Sequence, residues 1–365
     1  MAHVFVAPHP DDVALSCGGL IASLRELGQN VTIVTVFSGA GPAGGAEPTS
    51  LSAYQREALG FGTKTLWPLG EAFNPANLPN DFAVGDGEGR RAPWEADTDR
   101  LNETQAEADQ AAKRFWQRSS WYRRADIHNR PLAGQPLMDE LPTQGAVLTT
   151  ELTEAEAAGD LMAARRLEDE RFAYFSEASS VFLDLPDAVF RGYEGDEQLL
   201  SGPRPDDSAP YEIVRREVAR LEPQKVYFPL GVGNHVDHQL LREVGVSLLG
   251  ESDRWVMPGP DWAGRVVFYE DFPYAWWGGF GQLDDLPPGA LAGLPEGVTL
   301  VPEYGDISDM LERKINGVRL YGSQLDRLFG GERQMGEAVR GYGAKIGRLG
   351  GLDGPGERYW SSARL

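Results

Sequence analysis

A doubly wound α/β fold on a mostly parallel sheet, interrupted by one long insertion, is what this sequence predicts. Three observations carry it: a strand–helix–strand unit at the start, the same grammar resumed after residue 160, and a break in that rhythm between them. His3 to Ala7 is a short apolar strand, and Val13 to Leu27 is an amphipathic helix. Asn30 to Phe37 is β-branched and apolar, as in a strand covered on both faces. Such a unit implies parallel strands joined by a crossover helix.

Downstream, Arg165–Ser179 reads as a helix leading into the strand Val181–Leu185. Tyr211–Leu221 is a helix followed by the strand Lys225–Leu230, and a helix over about 236–249 leads to the strand Arg265–Tyr269. Asp309–Leu328 reads as one long amphipathic helix. The expected organisation is a single domain over residues 1–346, with an insertion at about 40–160, and a loose glycine-rich tail over 347–365. Within the insertion a helical run is expected over about 98–117.

With 41% hydrophobic and 24% charged residues, the 365-residue chain has the composition of a soluble globular protein. No run of about 18 apolar residues appears, and the first residues pass straight into a strand, so a cytoplasmic protein is expected. Cys17 is the sole cysteine, which excludes an intrachain disulfide and a thiolate-rich zinc site. The net charge of −21 opposes nucleic acid and anionic membranes as partners.

Three of the five histidines sit in two motifs, each directly after an expected strand. The first is Pro8-His9-Pro10-Asp11-Asp12. Ligands of open parallel sheets bind beyond the carboxyl ends of strands. His9 and Asp12 offer an imidazole and a carboxylate to one divalent ion, a donor set suited to zinc, which leaves Asp11 as a general base. A plain His-Pro turn with helix-capping aspartates would give the same residues. The second motif is Gly233-Asn234-His235-Val236-Asp237-His238. Residues three apart share a helix face, so either His235 or His238 would complete a three-ligand site. The other would face an oxyanion, with Asp237 fixing its ring and raising its pKa.

His9-Pro10-Asp11-Asp12 with Gly18-Gly19, together with His235-Val236-Asp237-His238, resembles the PIG-L/LmbE-like N-deacetylases. The resemblance spans roughly residues 1–40 and 165–330. It implies a Rossmann-like fold and zinc-dependent removal of N-acetyl groups, often from N-acetylglucosamine-containing glycoconjugates. It implies His9, Asp12 and His238 as zinc ligands, Asp11 as general base, and His235 as the oxyanion-facing group oriented by Asp237. It also brings Arg166 and Asp187 near the pocket, where they would contact substrate hydroxyls. Val13 and Val236 depart from the family's usual acidic residue and proline, and the long insertion has no counterpart in compact members. The oligomeric state is left open, a homo-oligomer included.

Two weaker signals stand beside these. Gly39–Gly44 fits a dinucleotide glycine pattern, but Pro42 argues for a plain loop. Lys113–Arg124 interleaves basic and aromatic residues, and reads more readily as a helix burying its rings than as a nucleic-acid or sugar platform. A non-catalytic carbohydrate-binding protein of the same fold, and a nucleotide-dependent enzyme, are the competing expectations.

Overall fold

The first strand, β1 (Ala2–Ala7), lies between β2 (Asn30–Thr35) and β4 (Lys225–Pro229), parallel to both. This is a computed structural model that describes residues 2–39, 161–250, 262, 264–277 and 293–364. The described residues fall in one compact unit. The expected insertion at about 40–160, its helical run, the Lys113–Arg124 stretch and the glycine pattern beyond Gly39 lie outside them.

Beyond β2 and β4, β3 (Ser179–Phe182) and β5 (Val266–Tyr269) extend the parallel sheet. Two longer strands, β6 (Val298–Asp306) and β7 (Gly356–Arg364), complete it antiparallel, giving the order β3-β2-β1-β4-β5-β7-β6. The chain moves one way from β1 to β2 through α1 (Asp12–Glu26), and the other way from β4 to β5 through α5 (Val236–Gly250). Right-handed crossovers in opposite directions put α1 and α5 on opposite faces, and leave a crevice where β1 and β4 meet. The expected doubly wound, mostly parallel sheet is what forms.

The central strands are apolar on both faces because helices cover both. Val4, Phe5 and Val6 are buried, and Phe5 stacks on Tyr227 of β4 with ring centroids 4.2 Å apart. Between β2 and β3 runs α2 (Leu161–Phe175), and α3 (Gly195–Leu199) and α4 (Tyr211–Leu221) precede β4. A short α6 (Tyr274–Trp277) follows β5. The glycine pair of α1 permits close packing: a Cβ on Gly19 would stand 2.6 Å from Ile307 Cγ2.

Two expectations are corrected. The helix anticipated over 309–328 is two helices, α7 (Leu311–Val318) and α8 (Gly322–Phe329). The break at Tyr321 turns its hydroxyl onto Asp169 at 2.6 Å, and lets Ser323 N–H donate to Glu168 at 2.8 Å. Tertiary contacts override the continuous apolar stripe. The expected loose tail is instead the end of α9 (Glu332–Leu349) followed by β7, which is hydrogen-bonded on both sides between β5 and β6. Its glycines serve close approach, since a Cβ on Gly347 would collide with the Gly354 carbonyl.

Candidate active site

The turn from β1 into α1 holds Asp11 with φ of 99°, a left-handed conformation that an aspartate adopts only under constraint. α2 supplies that constraint: Asp169 accepts the Asp11 backbone N–H, and Arg165 donates to the Pro10 carbonyl at 3.4 Å. The second motif is likewise shaped by left-handed residues, Gly231, Gly233 and Asn234. A Cβ on Gly233 would meet the Tyr274 side chain at 2.6 Å, so that position requires glycine.

These two turns bring both motifs to the crevice between β1 and β4. The rings of His9, His235 and His238 converge, with centroids 4.9 to 5.5 Å apart, and each offers a nitrogen within 4.8 Å of the others'. Asp12 Oδ2 is 3.2 Å from His9 Nδ1 and 3.4 Å from His238 Nε2. The same oxygen accepts the His9 backbone N–H at 2.8 Å. The outer nitrogens of these two rings face further carboxylates: His9 Nε2 is 2.8 Å from Asp237, and His238 Nδ1 is 2.6 Å from Asp271.

Of the expected residues, His9, Asp11, Asp12, Asp187, His235, Asp237 and His238 are thus brought together, all buried. Asp187 reaches His9 Nε2 at 3.7 Å and Arg165 at 3.6 Å. Arg166 is not brought in. Its guanidinium pairs with Asp184 and lies 4.7 Å over the Phe182 ring, away from the cavity. The helix phase explains this: Arg165, Glu168, Asp169 and Phe172 form the buried stripe of α2, and Arg166 lies outside it. Reading that phase would have found Arg165, whose guanidinium lies 3.9 Å from Asp11.

Sequence reasoning also missed Asp271, just past the end of β5, and Arg191, which bonds Asp237 at 2.5 Å and lies over the Phe37 ring. Neither belongs to a motif with fixed spacing. Leu15, Val189, Leu199, Tyr274, Gln324 and Arg327 line the same cavity.

The electrostatics follow from burial and crowding. Burial disfavours a charged His9, yet Asp187, Asp12 and Asp237 outweigh it and hold its pKa well above the ordinary value. For Asp12 the penalty of burial is overcome by His238 and His9, which pull it down to about 2. Burial and then the adjacent Asp12 push Asp11 well up, against Arg165 and His9. Burial, then positive His9 and His238, drive His235 well below its usual value.

This last result corrects the expectation of a raised His235 pKa: the Asp237 charge does pull it up, but burial, His9 and His238 outweigh it. Asp237 gives His235 only its backbone N–H, at 3.3 Å to Nδ1, while its carboxylate is taken by His9, Arg191 and the Ala188 N–H. A ring that accepts at Nδ1 is neutral with hydrogen on Nε2, and it remains a donor.

The residues fit a divalent cation. Five buried aspartates (Asp11, Asp12, Asp187, Asp237 and Asp271) crowd around the three imidazoles, with the guanidiniums of Arg165 and Arg191 beside Asp11, Asp187 and Asp237. His238 Nε2 is buried with no hydrogen-bond partner, and it faces Asp12. A buried imidazole nitrogen without a hydrogen-bond partner, at a cluster of imidazole and carboxylate donors, is what a metal ligand looks like without its ion.

An α/β sheet with a buried His/Asp cluster at its switch point is a Rossmann-like scaffold carrying a metal-type donor set. Within it, residues 4–115 match the family model PIG-L, described as GlcNAc-PI de-N-acetylase. That is the family its motifs resemble, and the match covers the first metal-type motif but not the second. The matched segment runs past residue 40, the expected start of the insertion.

One relative, 2'-N-acetylparomamine deacetylase from Streptomyces fradiae, is 35% identical over 148 residues, 40% of this chain and 47% of that protein. The match thus spans about half the relative's length. Among solved structures, the zinc-inhibited form of teicoplanin deacetylase Orf2 is 17% identical with a TM-score of 0.54, covering 100% of this chain and 99% of that one. A40926 pseudoaglycone deacetylase Dbv21 is 19% identical with a TM-score of 0.52, covering 99% and 97%. At these identities they establish the shared fold.

Proposed function

We propose that the protein is a zinc-dependent N-deacetylase that removes an acetyl group from an amino sugar within a small glycoconjugate. The observation that carries this is the buried Nε2 of His238, which has no hydrogen-bond partner and lies beside Asp12 in a cluster of imidazoles and carboxylates. His9, Asp12 and His238 would hold the ion. When bound, zinc supplies Lewis acidity, polarising the amide carbonyl and lowering the pKa of water.

The remaining chemistry belongs to the chain. Asp11, with its pKa pushed up by burial and Asp12, takes the proton of the attacking water and returns it to the leaving nitrogen. Arg165 stands beside Asp11 and steadies its position. His235, neutral and donating from Nε2, stabilises the oxyanion. Asp187, on the cavity wall, receives a substrate hydroxyl.

The deacetylase relatives support catalysis over a non-catalytic carbohydrate-binding role. For the nucleotide reading, Gly39 is tied by its N–H and carbonyl to Leu185 and Asp187, a structural task that explains the glycine without a phosphate. The acidic balance favours a small glycoconjugate over nucleic acid as partner. No described helix is long and apolar enough to cross a membrane, and the reading takes the protein as cytoplasmic.

The test is zinc content by elemental analysis together with acetate release from N-acetylated amino-sugar conjugates. Zinc in the purified protein with acetate release is the expected result. Acetate release that persists undiminished in metal-free protein would overturn it.

A further inference from the structure

The geometry points to Asp271 as the residue that fixes which nitrogen of His238 faces the site. This positioning role rests on reading His238 as a metal ligand.

Asp271 follows β5, and both it and His238 are all but inaccessible to solvent, at 0% and 1% exposure. Its two oxygens have separate duties. Oδ2 accepts the Val232 backbone N–H at 2.8 Å, and Oδ1 lies 2.6 Å from His238 Nδ1. A carboxylate accepts at both oxygens, so Nδ1 carries the hydrogen. In a neutral ring that leaves Nε2 with its lone pair, and Nε2 is the atom without a hydrogen-bond partner, 3.4 Å from Asp12. Val232 belongs to the loop leading into the second motif, so one side chain ties the strand end, the loop and the imidazole together. Outer carboxylates of this kind set tautomer and orientation at metal-binding histidines.

Replacing Asp271 by asparagine leaves one carbonyl oxygen for two donors. If that oxygen keeps the Val232 N–H, the amide NH₂ faces His238 Nδ1, which must then accept. The ring hydrogen moves to Nε2 and closes the ligating position. The reverse orientation sets an NH₂ against the Val232 N–H and leaves a buried donor unmet.

In the full-length protein, chelator competition should show zinc affinity falling by about 10–100-fold in Asp271→Asn. Nitrogen-15 NMR of histidine-labelled, metal-free protein, with His238→Gln for assignment, should place the His238 hydrogen on Nδ1 in the wild type and on Nε2 in the variant. Wild-type zinc affinity in folded Asp271→Asn would overturn the proposal. So would a lowered melting temperature with the tautomer unmoved, which marks a purely structural residue. A hydrogen on Nε2 in the metal-free wild type overturns it even where the variant does not fold. Wild-type protein that retains no zinc sinks the hydrolase reading instead, and the proton assignment then still decides whether Asp271 holds the ring.

Discussion

On the antiparallel flank, Glu357 and Glu270 are buried carboxylates whose oxygens are all met by protein donors. Glu357 accepts from Lys314 Nζ at 2.6 Å, from the Gly19 and Leu20 N–H groups, and from the Tyr359 hydroxyl. Glu270 accepts from Arg358, Trp360 and Tyr342. At the carboxyl ends of β1 and β4 the matching fails: one buried imidazole nitrogen, His238 Nε2, has no hydrogen-bond partner. Both regions bury charge at a cost in desolvation, which is offset only where partners are supplied. The two flank carboxylates have every oxygen met and are structural. The crevice leaves a buried nitrogen unmet at the carboxyl ends of parallel strands, which is where an ion and a substrate fit.

The sharpest way to break this comparison is to remove a reacting group without touching the balance of the flank. Asp11→Ala should lower turnover by about 10²–10⁴-fold, the usual range for a general base, while zinc content stays at the wild-type level. Retained turnover would remove Asp11 from the mechanism. His235→Ala should cost about 10²–10³-fold in kcat with a smaller change in KM, the signature of a donor used mainly in the transition state. A change confined to KM would make it a binding residue.

The complementary variant lies on the flank. Lys314→Met removes the cation and leaves Glu357 buried, which should cost about 3–5 kcal/mol of stability. Denaturant unfolding measures this, and kcat of the folded fraction should stay unchanged. A large fall in kcat with normal stability would mean that the two clusters are not separate.

The same contrast explains what could be read beforehand. The parallel half was legible because its strands are runs such as Asn30–Thr35, buried on both faces, and because the ligand-type residues follow those strands in short fixed motifs. The antiparallel flank was not. β7 buries Glu357 and Arg358 beside Tyr359 and Trp360, so its polarity hides a core strand. Those charges are tolerable only through partners 43 and 88 residues away in sequence, Lys314 and Glu270, which no local pattern reveals. In the site, seven of the eight expected residues converge. Arg166 fails by one helical position, and Asp271 and Arg191 are defined only by the tertiary fold.

β1 offers the smallest and most local form of the comparison, because it carries a buried histidine at each end. His9, at the carboxyl end, is surrounded by carboxylates and held well above its ordinary pKa. At the amino end, His3 meets the Tyr227 hydroxyl at 3.1 Å and no carboxylate, and burial followed by nearby positive charge, Lys225 included, lowers it to about 4 from 6.5. Between those two values the unfolded chain binds more proton at this residue than the folded one, so stability rises with pH across the window. The contribution is complete above pH about 6.5 and is lost as pH falls through about 4. His3→Phe should therefore narrow the gap in melting temperature between pH 4 and pH 7, with zinc content and turnover at neutral pH unaffected. Identical pH dependence in the two proteins would show that His3 keeps its free-solution pKa in the folded state, and that only the carboxyl end of the strand perturbs its histidine.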